Sequence, residues 1–445
     1  MKKIALGLLL TVCVGAGCNN STGSAQAPPT SGFSAVAGAV GTQDVTGPYE
    51  VVKGWPKDIS TLPGNEKWTY GAGESVFAES PNRVFMLFRG ELPVLDKKMT
   101  SNRLLPEVGP SIGFPVAGFV RDATTASLPG VGGTDQDTRE WLTAWEGKSK
   151  TIGIKGPPFR QLGVDAKWEN CFVVVDANGN IVETWKQWDN KFRRPHSVYI
   201  SPYDAKKDVW VVDDNMQAIY RFTNDGKQLL QTIGTPEQEG ADANHFNRPT
   251  YLDWDTDGSF YVSDGYTGTR VAKYDKDGKF LFDWGKKGGP RTGNDGIPVE
   301  TRPGYFSNVH GVAVNTTNHE VFVNDRNNHR IQVFDPSGKY LREWKIDAEP
   351  SSLHLLYIGS GDGVWTYDRS TNKMVKYDFN GHLVYAWGTM GTFPGGLWGV
   401  HGLHVDQDGN MYVAEVDNGR VQKFKPRAGA NPAYLVAKPV YQAWK

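Results

Sequence analysis

The chain has 445 residues, and its 48 Lys and Arg residues nearly equal its 49 Asp and Glu residues. This balance argues against a nucleic-acid-binding or polybasic membrane-binding surface, where one sign of charge dominates. Hydrophobic residues make up 39% of the chain and aromatic residues 12%, which is enough for a large buried core. The 52 Gly and 15 Trp residues indicate many short strands joined by tight turns.

The N-terminus is predicted to be a targeting segment. Two lysines precede an apolar run that is too short to span a bilayer as a stable helix. Small residues before Cys18 resemble a bacterial lipobox, but Gly15 stands where Leu is usual, so an ordinary cleaved signal peptide is the alternative. We expect a signal over 1–17 and a flexible tether over 18–47. A lipidated Cys18 would anchor the protein to a bacterial cell envelope, and Asn19 favours the outer membrane or periplasmic side; the alternative signal predicts secretion.

The three cysteines leave no internal disulfide. Cys13 lies in the signal and Cys18 is the predicted lipid site, so Cys171 is alone. Because Cys171 opens an apolar, β-branched run, we expect a buried strand residue and not a nucleophile.

One pattern recurs along the chain and predicts the fold. Two apolar residues near a Pro or His open each copy, an Asx-Gly turn and an apolar run ending in Asp follow, and two more strands complete it. The copies lie at 195–234, 249–285, 310–344, 353–388 and 401–424. A four-stranded sheet of this length buries both faces only beside another such sheet, so the copies predict a closed β-propeller.

One further copy is divided by an insertion, which we place at 91–170, with its last two strands at 171–185. The prediction is therefore an all-β fold, a six-bladed β-propeller over 48–427, followed by a C-terminal tail over 428–445. The last copy ends near its third strand. We therefore expect the segment from Tyr49 to Trp55 to supply the closing strand.

Three of the nine histidines occupy one repeat position, the start of the innermost strand, in blades 2, 4 and 6: His196, His310 and His401. Thr250 and Ser352 are assigned to that position in blades 3 and 5. Equivalent positions on alternate blades lie about 120° apart around one axis. Three neutral imidazoles with an open position form a zinc site, although another first-row metal is an alternative. Three hydrogen-bonded channel histidines of a repeat consensus are the other interpretation, but a consensus should occur in every blade.

Three further side chains follow second strands and are expected on the histidine face: Arg89, Tyr266 and Arg326. A guanidinium binds a substrate carboxylate through two parallel hydrogen bonds, which suits Arg89 and Arg326. Two arginines and a metal ion would favour the phenolate of Tyr266, which could then act as a base. Arginines that recur in the third strand are instead predicted to be structural: Arg270, Arg330 and Arg420.

The motifs NNHRIQVFDPSGKYLREW and NGRVQKF resemble NHL repeats. Longer stretches, namely EGADANHFNRPTYLDW, YVSDGYTGTRV, RPHSVYI and VFMLFRGE, resemble the catalytic core of peptidyl-α-hydroxyglycine α-amidating lyase, over roughly residues 75–424. This resemblance implies a six-bladed propeller with zinc that cleaves an α-hydroxyglycine C-terminus to a peptide amide and glyoxylate. It also implies functional roles for the three histidines, Arg89, Tyr266 and Arg326.

The chain departs from that family at two positions. The family has an Asp after the third histidine that helps to hold a structural calcium, and here Gly402 stands in its place, which makes calcium doubtful. Thr267 follows Tyr266, where a Cys is usual in the family. These changes leave the carboxylated substrate unidentified, and the oligomeric state is also open.

Two functions from different classes therefore remain. The first is a zinc-dependent carbon–nitrogen lyase acting on an α-hydroxyglycine-like substrate. The second is a non-catalytic NHL-repeat propeller that binds a partner on the cell envelope. A sugar-lactone hydrolase propeller is a weaker third alternative, because such sites use mainly carboxylate and amide ligands on calcium.

Overall fold

The computed structural model describes residues 43–94, 167–288, 300–346, 352–440 and 442–443. The predicted signal peptide, Cys18 and most of the insertion lie outside these residues. Among the described residues, five four-stranded sheets and one three-stranded sheet form the blades of a six-bladed β-propeller, as predicted. None of the helices in this part of the chain has the length and apolar character needed to cross a bilayer.

The first strand of the chain, β1 (Tyr49–Val51), joins the last blade. Blade 1 contains β2 (Trp68–Ser80), β3 (Arg83–Pro93), β4 (Phe172–Val175) and β5 (Ile181–Thr184). Blade 2 contains β6 (Pro195–Ile200), β7 (Val209–Asp213), β8 (Ala218–Phe222) and β9 (Leu229–Ile233). Blade 3 contains β10 (Pro249–Trp254), β11 (Phe260–Asp264), β12 (Arg270–Tyr274) and β13 (Phe280–Trp284).

A short parallel pair, β14 (Lys286–Lys287) and β15 (Tyr305–Phe306), leads into blade 4. Blade 4 contains β16 (Val309–Asn315), β17 (Glu320–Asp325), β18 (Arg330–Phe334) and β19 (Tyr340–Lys345). Blade 5 contains β20 (Gly363–Asp368), β21 (Lys373–Asp378) and β22 (Leu383–Trp387). Blade 6 contains β23 (Val400–Val405), β24 (Met411–Glu415), β25 (Arg420–Pro426) and β1. The described helices are α1 (Gln43–Thr46) and the 3-10 turns Ile59–Thr61, Lys186–Lys191, Arg326–Asn328 and Pro432–Tyr434.

The second strand of each blade is buried on both faces because every sheet packs between two neighbours. All residues of β7 (VWVVD) and β11 (FYVSD) are buried, whereas the outermost strand β9 alternates in exposure. Between blades 2 and 3, the large side chains of Trp210, Trp254 and Phe260 pack into one cluster. Each such burial stabilises the fold by about 1.5–3 kcal/mol, which explains why the apolar repeat specifies a closed ring.

A carboxylate that ends the second strand holds the start of the innermost strand in the same blade. Asp213, for example, accepts the backbone N–H of Arg194 through Oδ1 at 3.1 Å. The same bond is made by Asp264 to Asn247, Asp325 to Ser307, Asp368 to Ser352 and Glu415 to Trp398. The third-strand arginines pair with these carboxylates, which confirms their structural role: Arg270 with Asp264, Arg330 with Asp325, and Arg420 with Glu415.

The ring is closed by the N-terminal strand, as predicted. β1 pairs antiparallel with β25, with Tyr49 opposite Pro426 and Val51 opposite Phe424. The Tyr49 ring is fully buried, and its hydroxyl accepts the backbone N–H of Val436 at 2.7 Å. Both chain ends of the propeller therefore meet in blade 6.

The two ends of the predicted insertion belong to blade 1. β3 continues to Pro93, and the N–H of Glu91 donates to the carbonyl of Lys167 at 2.8 Å. Residues 95–166 lie outside the described residues. Cys171, the first residue after the predicted insertion, is buried, as predicted, and burial raises the pKa of its thiol well above the ordinary value.

The C-terminal tail crosses the face on which the innermost strands end, which we call the lower face. Its backbone is bonded to blade 5, where the N–H of Ser360 donates to the carbonyl of Lys438. It is also bonded to blade 2, where the N–H of Ala443 donates to the carbonyl of Pro202 at 2.9 Å. Between these points, Val440 lines the lower part of the central channel. The tail therefore covers the lower mouth.

Candidate metal centre

One residue of each innermost strand occupies the same place at the upper end of the channel. In blades 1, 2, 3, 4 and 6 a β-bulge interrupts the pairing with the second strand at this place. A bulged residue is left out of the ladder, which re-aims its side chain, here toward the axis. The six axial residues are Glu74, His196, Thr250, His310, His354 and His401.

The assignment of Ser352 to this position in blade 5 is wrong. Leu353 pairs with Asp368 as Pro195 pairs with Asp213, so the next residue, His354, is the axial one. The innermost segment of this blade is held by isolated bridges and has no regular strand, so the sequence pattern did not reveal its register. Histidines therefore occupy four axial positions rather than alternate ones.

The structure brings His196, His310 and His401 together around the axis. One ligand atom from each lies within 4.8 Å of the others, and all three side chains are buried. Burial and neighbouring cations lower the pKa of each imidazole well below its ordinary value. The three rings are therefore neutral, which is the form that binds a metal.

Hydrogen bonds orient two of these rings. Nδ1 of His310 donates to the carbonyl of His354 at 2.6 Å, and Nδ1 of His401 donates to the carbonyl of Glu74 at 2.9 Å. A proton on Nδ1 leaves the lone pair on Nε2, and backbone partners of this kind are typical of metal-ligating histidines. Nδ1 of His196 is buried and has no hydrogen-bond partner among the described residues. The donor set fits a small divalent metal of zinc type.

Tyr266 lies directly beside the histidines, as the sequence predicts. Its hydroxyl is 3.1 Å from Nε2 of His196 and 3.0 Å from Nε2 of His310. The residue follows β11, and its backbone N–H donates to the carbonyl of Arg248. The phenol oxygen is thus held at the point where the imidazoles converge.

Four guanidinium groups surround this point. Arg326 begins the turn after β17, and its Cζ lies 5.5 Å from the centre of the Tyr266 ring. The Cζ atoms of Arg194 and Arg248 lie 4.8 and 4.5 Å from the same ring centre. Arg89 acts on Tyr266 through its charge.

Arg89 differs from the prediction in its setting. It lies inside β3 and not in a loop after it, because the strands of blade 1 continue to Pro93. Its guanidinium is 2% exposed and donates to Oε2 of Glu74 at 2.9 Å. Burial raises the pKa of Glu74 to about 7, although Arg89 and Arg194 act in the opposite direction. Arg89 is therefore paired with a carboxyl group that also lies 3.5 Å from Nδ1 of His401.

The pKa of Tyr266 moves in the opposite direction to the one expected from its neighbours alone. Burial raises the pKa above its ordinary value of 10.0, and the charges of Arg194, Arg326 and Arg89 only partly oppose this effect. The arginines therefore make the phenolate less costly than burial alone would, but they do not make it the favoured form.

The place of the family's calcium ligand has no room for a side chain. A Cβ atom on Gly402 would lie 2.6 Å from Cα of Ser75 and 3.0 Å from the backbone nitrogen of Val76. An aspartate would force the innermost strands of blades 6 and 1 apart. This observation supports the doubt about calcium.

Sequence reasoning missed several residues of this site. Arg194 and Arg248 each precede a Pro and an axial residue, in RPH and RPT, and this shared dipeptide is the signal that could have identified them. Asp214 is the second acid of an Asp-Asp pair at the end of β7. Glu74 and His354 gave no comparable signal.

The fold and the site define a six-bladed β-propeller with three buried histidines converging on its axis. Residues 306–334 match the family model for the NHL repeat. The chain is 25% identical over 288 residues to peptidyl-glycine alpha-amidating monooxygenase B of Xenopus laevis, covering 60% of this chain and 30% of that protein. It is 27% identical over 279 residues to peptidyl-alpha-hydroxyglycine alpha-amidating lyase 1 of Drosophila melanogaster, covering 59% of this chain and 49% of that protein.

The chain therefore spans less than half the length of either curated relative. Among solved structures, virginiamycin B lyase from Staphylococcus aureus matches with a TM-score of 0.36 and 15% identity, covering 52% of this chain and 66% of that one. The predicted resemblance to NHL repeats and to the amidating lyases is thus confirmed at the level of sequence similarity.

Proposed function

We propose that this protein is a metal-dependent carbon–nitrogen lyase that cleaves an α-hydroxyglycine-like substrate to an amide and glyoxylate. The observation that carries the proposal is the convergence of three neutral histidines and the Tyr266 hydroxyl at one buried point. The similarity to a protein named as an amidating lyase supports it.

A divalent metal, for which zinc suits the all-imidazole set, would be held by His196, His310 and His401. It would supply a Lewis acid and the additional positive charge that makes the phenolate of Tyr266 accessible despite its burial. The protein's own groups bind the rest of the substrate. Arg326 is the donor for the substrate carboxylate, because a guanidinium binds both carboxylate oxygens at once. Arg89, held by Glu74, adds positive charge that acts on Tyr266.

Tyr266 moves the proton in this reaction. In its deprotonated form it takes the proton of the substrate hydroxyl, and the electron pair of that O–H bond forms the carbonyl of glyoxylate. The C–N bond breaks, its electron pair goes to the nitrogen, and the nitrogen takes the proton from Tyr266. Atoms and charge balance, and the tyrosine returns to its starting form.

A direct test measures glyoxylate released from a peptide that ends in α-hydroxyglycine. We expect release by zinc-loaded wild-type protein and none by the His310→Ala variant. Absence of release by folded, zinc-loaded wild-type protein would exclude this reaction.

The alternative function is a non-catalytic NHL-repeat propeller that binds a partner on the cell envelope. The match of residues 306–334 to the NHL repeat favours it, since that repeat specifies a scaffold and not a reaction. It predicts that alanine at His196 or His401 leaves the function intact. Metal binding that depends on these residues would contradict it.

We further propose that Cys18 carries a lipid that tethers the propeller to the envelope. Cys18→Ser should release the protein from the membrane fraction in a bacterial host. Unchanged fractionation would exclude the lipid anchor.

A further inference from the structure

Arg248 has a backbone conformation that a large side chain rarely adopts. Its φ angle is +66°, in the left-handed region. Arg248 lies two residues before the axial residue of its blade. The residues at the equivalent position of blades 4 and 6 have the same conformation: Asn308 has φ +64° and Gly399 has φ +67°. Asn and Gly tolerate this region, whereas an arginine there is strained. A strained backbone at Arg248, where other blades have Asn or Gly, indicates that the arginine side chain contributes something that the repeat itself does not need.

Asp214 joins this arginine to a second one. Its Oδ2 atom accepts from Nη1 of Arg194 at 3.0 Å, and from Nε and Nη2 of Arg248 at 2.9 and 2.8 Å. Both guanidinium groups lie against the ring of Tyr266. The carbonyl of Arg248 also accepts the backbone N–H groups of Gly265 and Tyr266, each at 3.1 Å.

The propeller repeat does not require this cluster. The structural carboxylate of blade 2 is Asp213, which holds the start of β6. The position after it, where Asp214 stands, is occupied in blades 3, 4 and 6 by Gly265, Arg326 and Val416. Asp214 is fully buried, and its Oδ1 atom has no hydrogen-bond partner among the described residues. A buried carboxylate of this kind is costly, so a contribution other than blade packing explains it.

We propose that Asp214, Arg194 and Arg248 form a clamp whose role is to position Tyr266, which rests on the proposed catalytic function of that tyrosine. Asp214 fixes the two guanidinium planes, the planes fix the phenol ring, and the ring directs its hydroxyl to the Nε2 atoms of His196 and His310. The clamp residues touch Tyr266 and not the reacting atoms, so they are positioning residues.

The first test observes the ring itself and needs no activity. Protein labelled with 3-fluorotyrosine gives a ¹⁹F resonance for Tyr266 that is assigned by its loss in Tyr266→Phe. We expect this resonance to shift and broaden in Arg248→Gly and in Asp214→Asn. Lys207→Gly is the matched control, because Lys207 also has a positive φ, of 57°, but lies at the lower end of blade 2. An unchanged Tyr266 resonance in both clamp variants overturns the proposal.

Arg248→Gly also separates positioning from stability. Glycine relieves the left-handed strain, which offsets part of the loss of the ion pair with Asp214, and Arg194 still binds this carboxylate, so we expect the variant to fold. If glycine prevents folding, Arg248→Asn keeps a residue that tolerates this conformation.

The second test is kinetic. We expect kcat for glyoxylate release to fall about 10- to 100-fold in Arg248→Gly, with KM unchanged, because a misplaced group affects the transition state more than binding. In a Tyr266→Phe background the same substitution should lower kcat no further. A further loss in that background shows that Arg248 acts independently of Tyr266 and overturns the proposal.

The two proposals fail in different ways. If wild-type protein releases no glyoxylate, the proposed reaction is excluded, and the ¹⁹F measurement alone decides whether the clamp holds the ring.

Discussion

The two ends of the central channel are built from the same six innermost chain segments but have opposite chemistry. At the upper end, the axial positions carry His196, His310 and His401, and arginines lie around them. At the lower end, Leu355 and Leu403 line the wall, and the C-terminal tail covers the mouth. Ionisable groups are thus concentrated at the upper end, while the lower end is lined mainly by apolar side chains.

The bulge at the start of the innermost strand explains this difference. It separates the axial residue, whose side chain belongs to the proposed site, from the residues that pack the channel. Residues beyond the bulge alternate regularly, and their side chains fill the channel. The bulged residue is not part of this alternation, so a polar or ionisable side chain can stand there without disturbing the packing of the blade. The two arginines of blade 4 also differ in this way. Arg330 pairs with the carboxylate of its own blade and stabilises the sheet, whereas Arg326 lies beside Tyr266 in the proposed site.

The largest effect is expected from Tyr266→Phe at the upper end. Loss of the hydroxyl that we propose to transfer the proton should lower kcat by about 10²- to 10⁴-fold while metal content stays at the wild-type level. Tyr220→Phe is the control: it removes a buried hydroxyl from blade 2, away from the histidines, and should keep full activity. Equal kinetics for Tyr266→Phe and wild-type protein would remove the tyrosine from the mechanism.

At the lower end, removal of residues 428–445 should affect stability and not the site. The tail buries Tyr434 and Val436, which are 7% and 3% exposed. Their loss should cost about 3–6 kcal/mol in the free energy of unfolding, measured by urea denaturation. Lys438→Ala, which removes one exposed amine of the tail, should change little. An unchanged urea midpoint after truncation would show that the tail is not a structural cover.

Two arginines of blade 4 sharpen the comparison between function and packing. Arg326→Lys keeps the charge but loses the forked donor, so kcat/KM should fall about 10- to 100-fold while stability is retained. Arg330→Lys should lower stability and leave kcat/KM nearly unchanged, because the Arg330 side chain is 1% exposed and bonds Asp325 within the sheet. Loss of activity in both variants without loss of stability would contradict the division of roles.

The smallest effect concerns the pH dependence of stability at the lower end. Burial lowers the pKa of His404 from 6.5 to about 3, and its Nδ1 accepts the backbone N–H of Ala78 at 3.1 Å. The unfolded chain therefore takes up a proton that the folded chain does not. The contribution of the neutral His404 to the free energy of unfolding is fully present above pH 6.5. It is lost as the pH falls toward 3, at about 1.4 kcal/mol per pH unit.

His404→Asn keeps an acceptor near Nδ1 and removes this proton. Urea denaturation at pH 7 and pH 5 should show a smaller loss of stability for the variant than for wild-type protein. His382→Asn, at an exposed turn, is the control and should follow the wild type. Parallel curves for His404→Asn and wild-type protein would show that His404 does not remain neutral in the fold.

Much of this architecture could be predicted because the repeat is explicit in the sequence. The six blades, the closing strand at Tyr49 and the three converging histidines follow from the position of each residue in the repeat. The axial residue of blade 5 could not, because the segment around His354 is irregular and only its two bridges set the register. The sequence predicts that Arg89 follows the second strand, because nothing in it shows that β3 continues past the site to Pro93.

The Asp214 clamp was hidden for a different reason. Arg194 and Arg248 lie in different blades, and only the three-dimensional arrangement brings them to one carboxylate. A repeat pattern shows what blades share, and these residues are where blades 2 and 3 differ from the others.

The most direct test of the central claim is the metal content of purified protein. Wild-type protein should contain about one zinc per chain, and His310→Ala should contain none after the same dialysis. His354→Ala is the matched variant, because His354 is also axial but offers His310 its backbone carbonyl, which alanine retains. Wild-type protein that binds no metal, or a His310→Ala variant that keeps it, would contradict the account of the site.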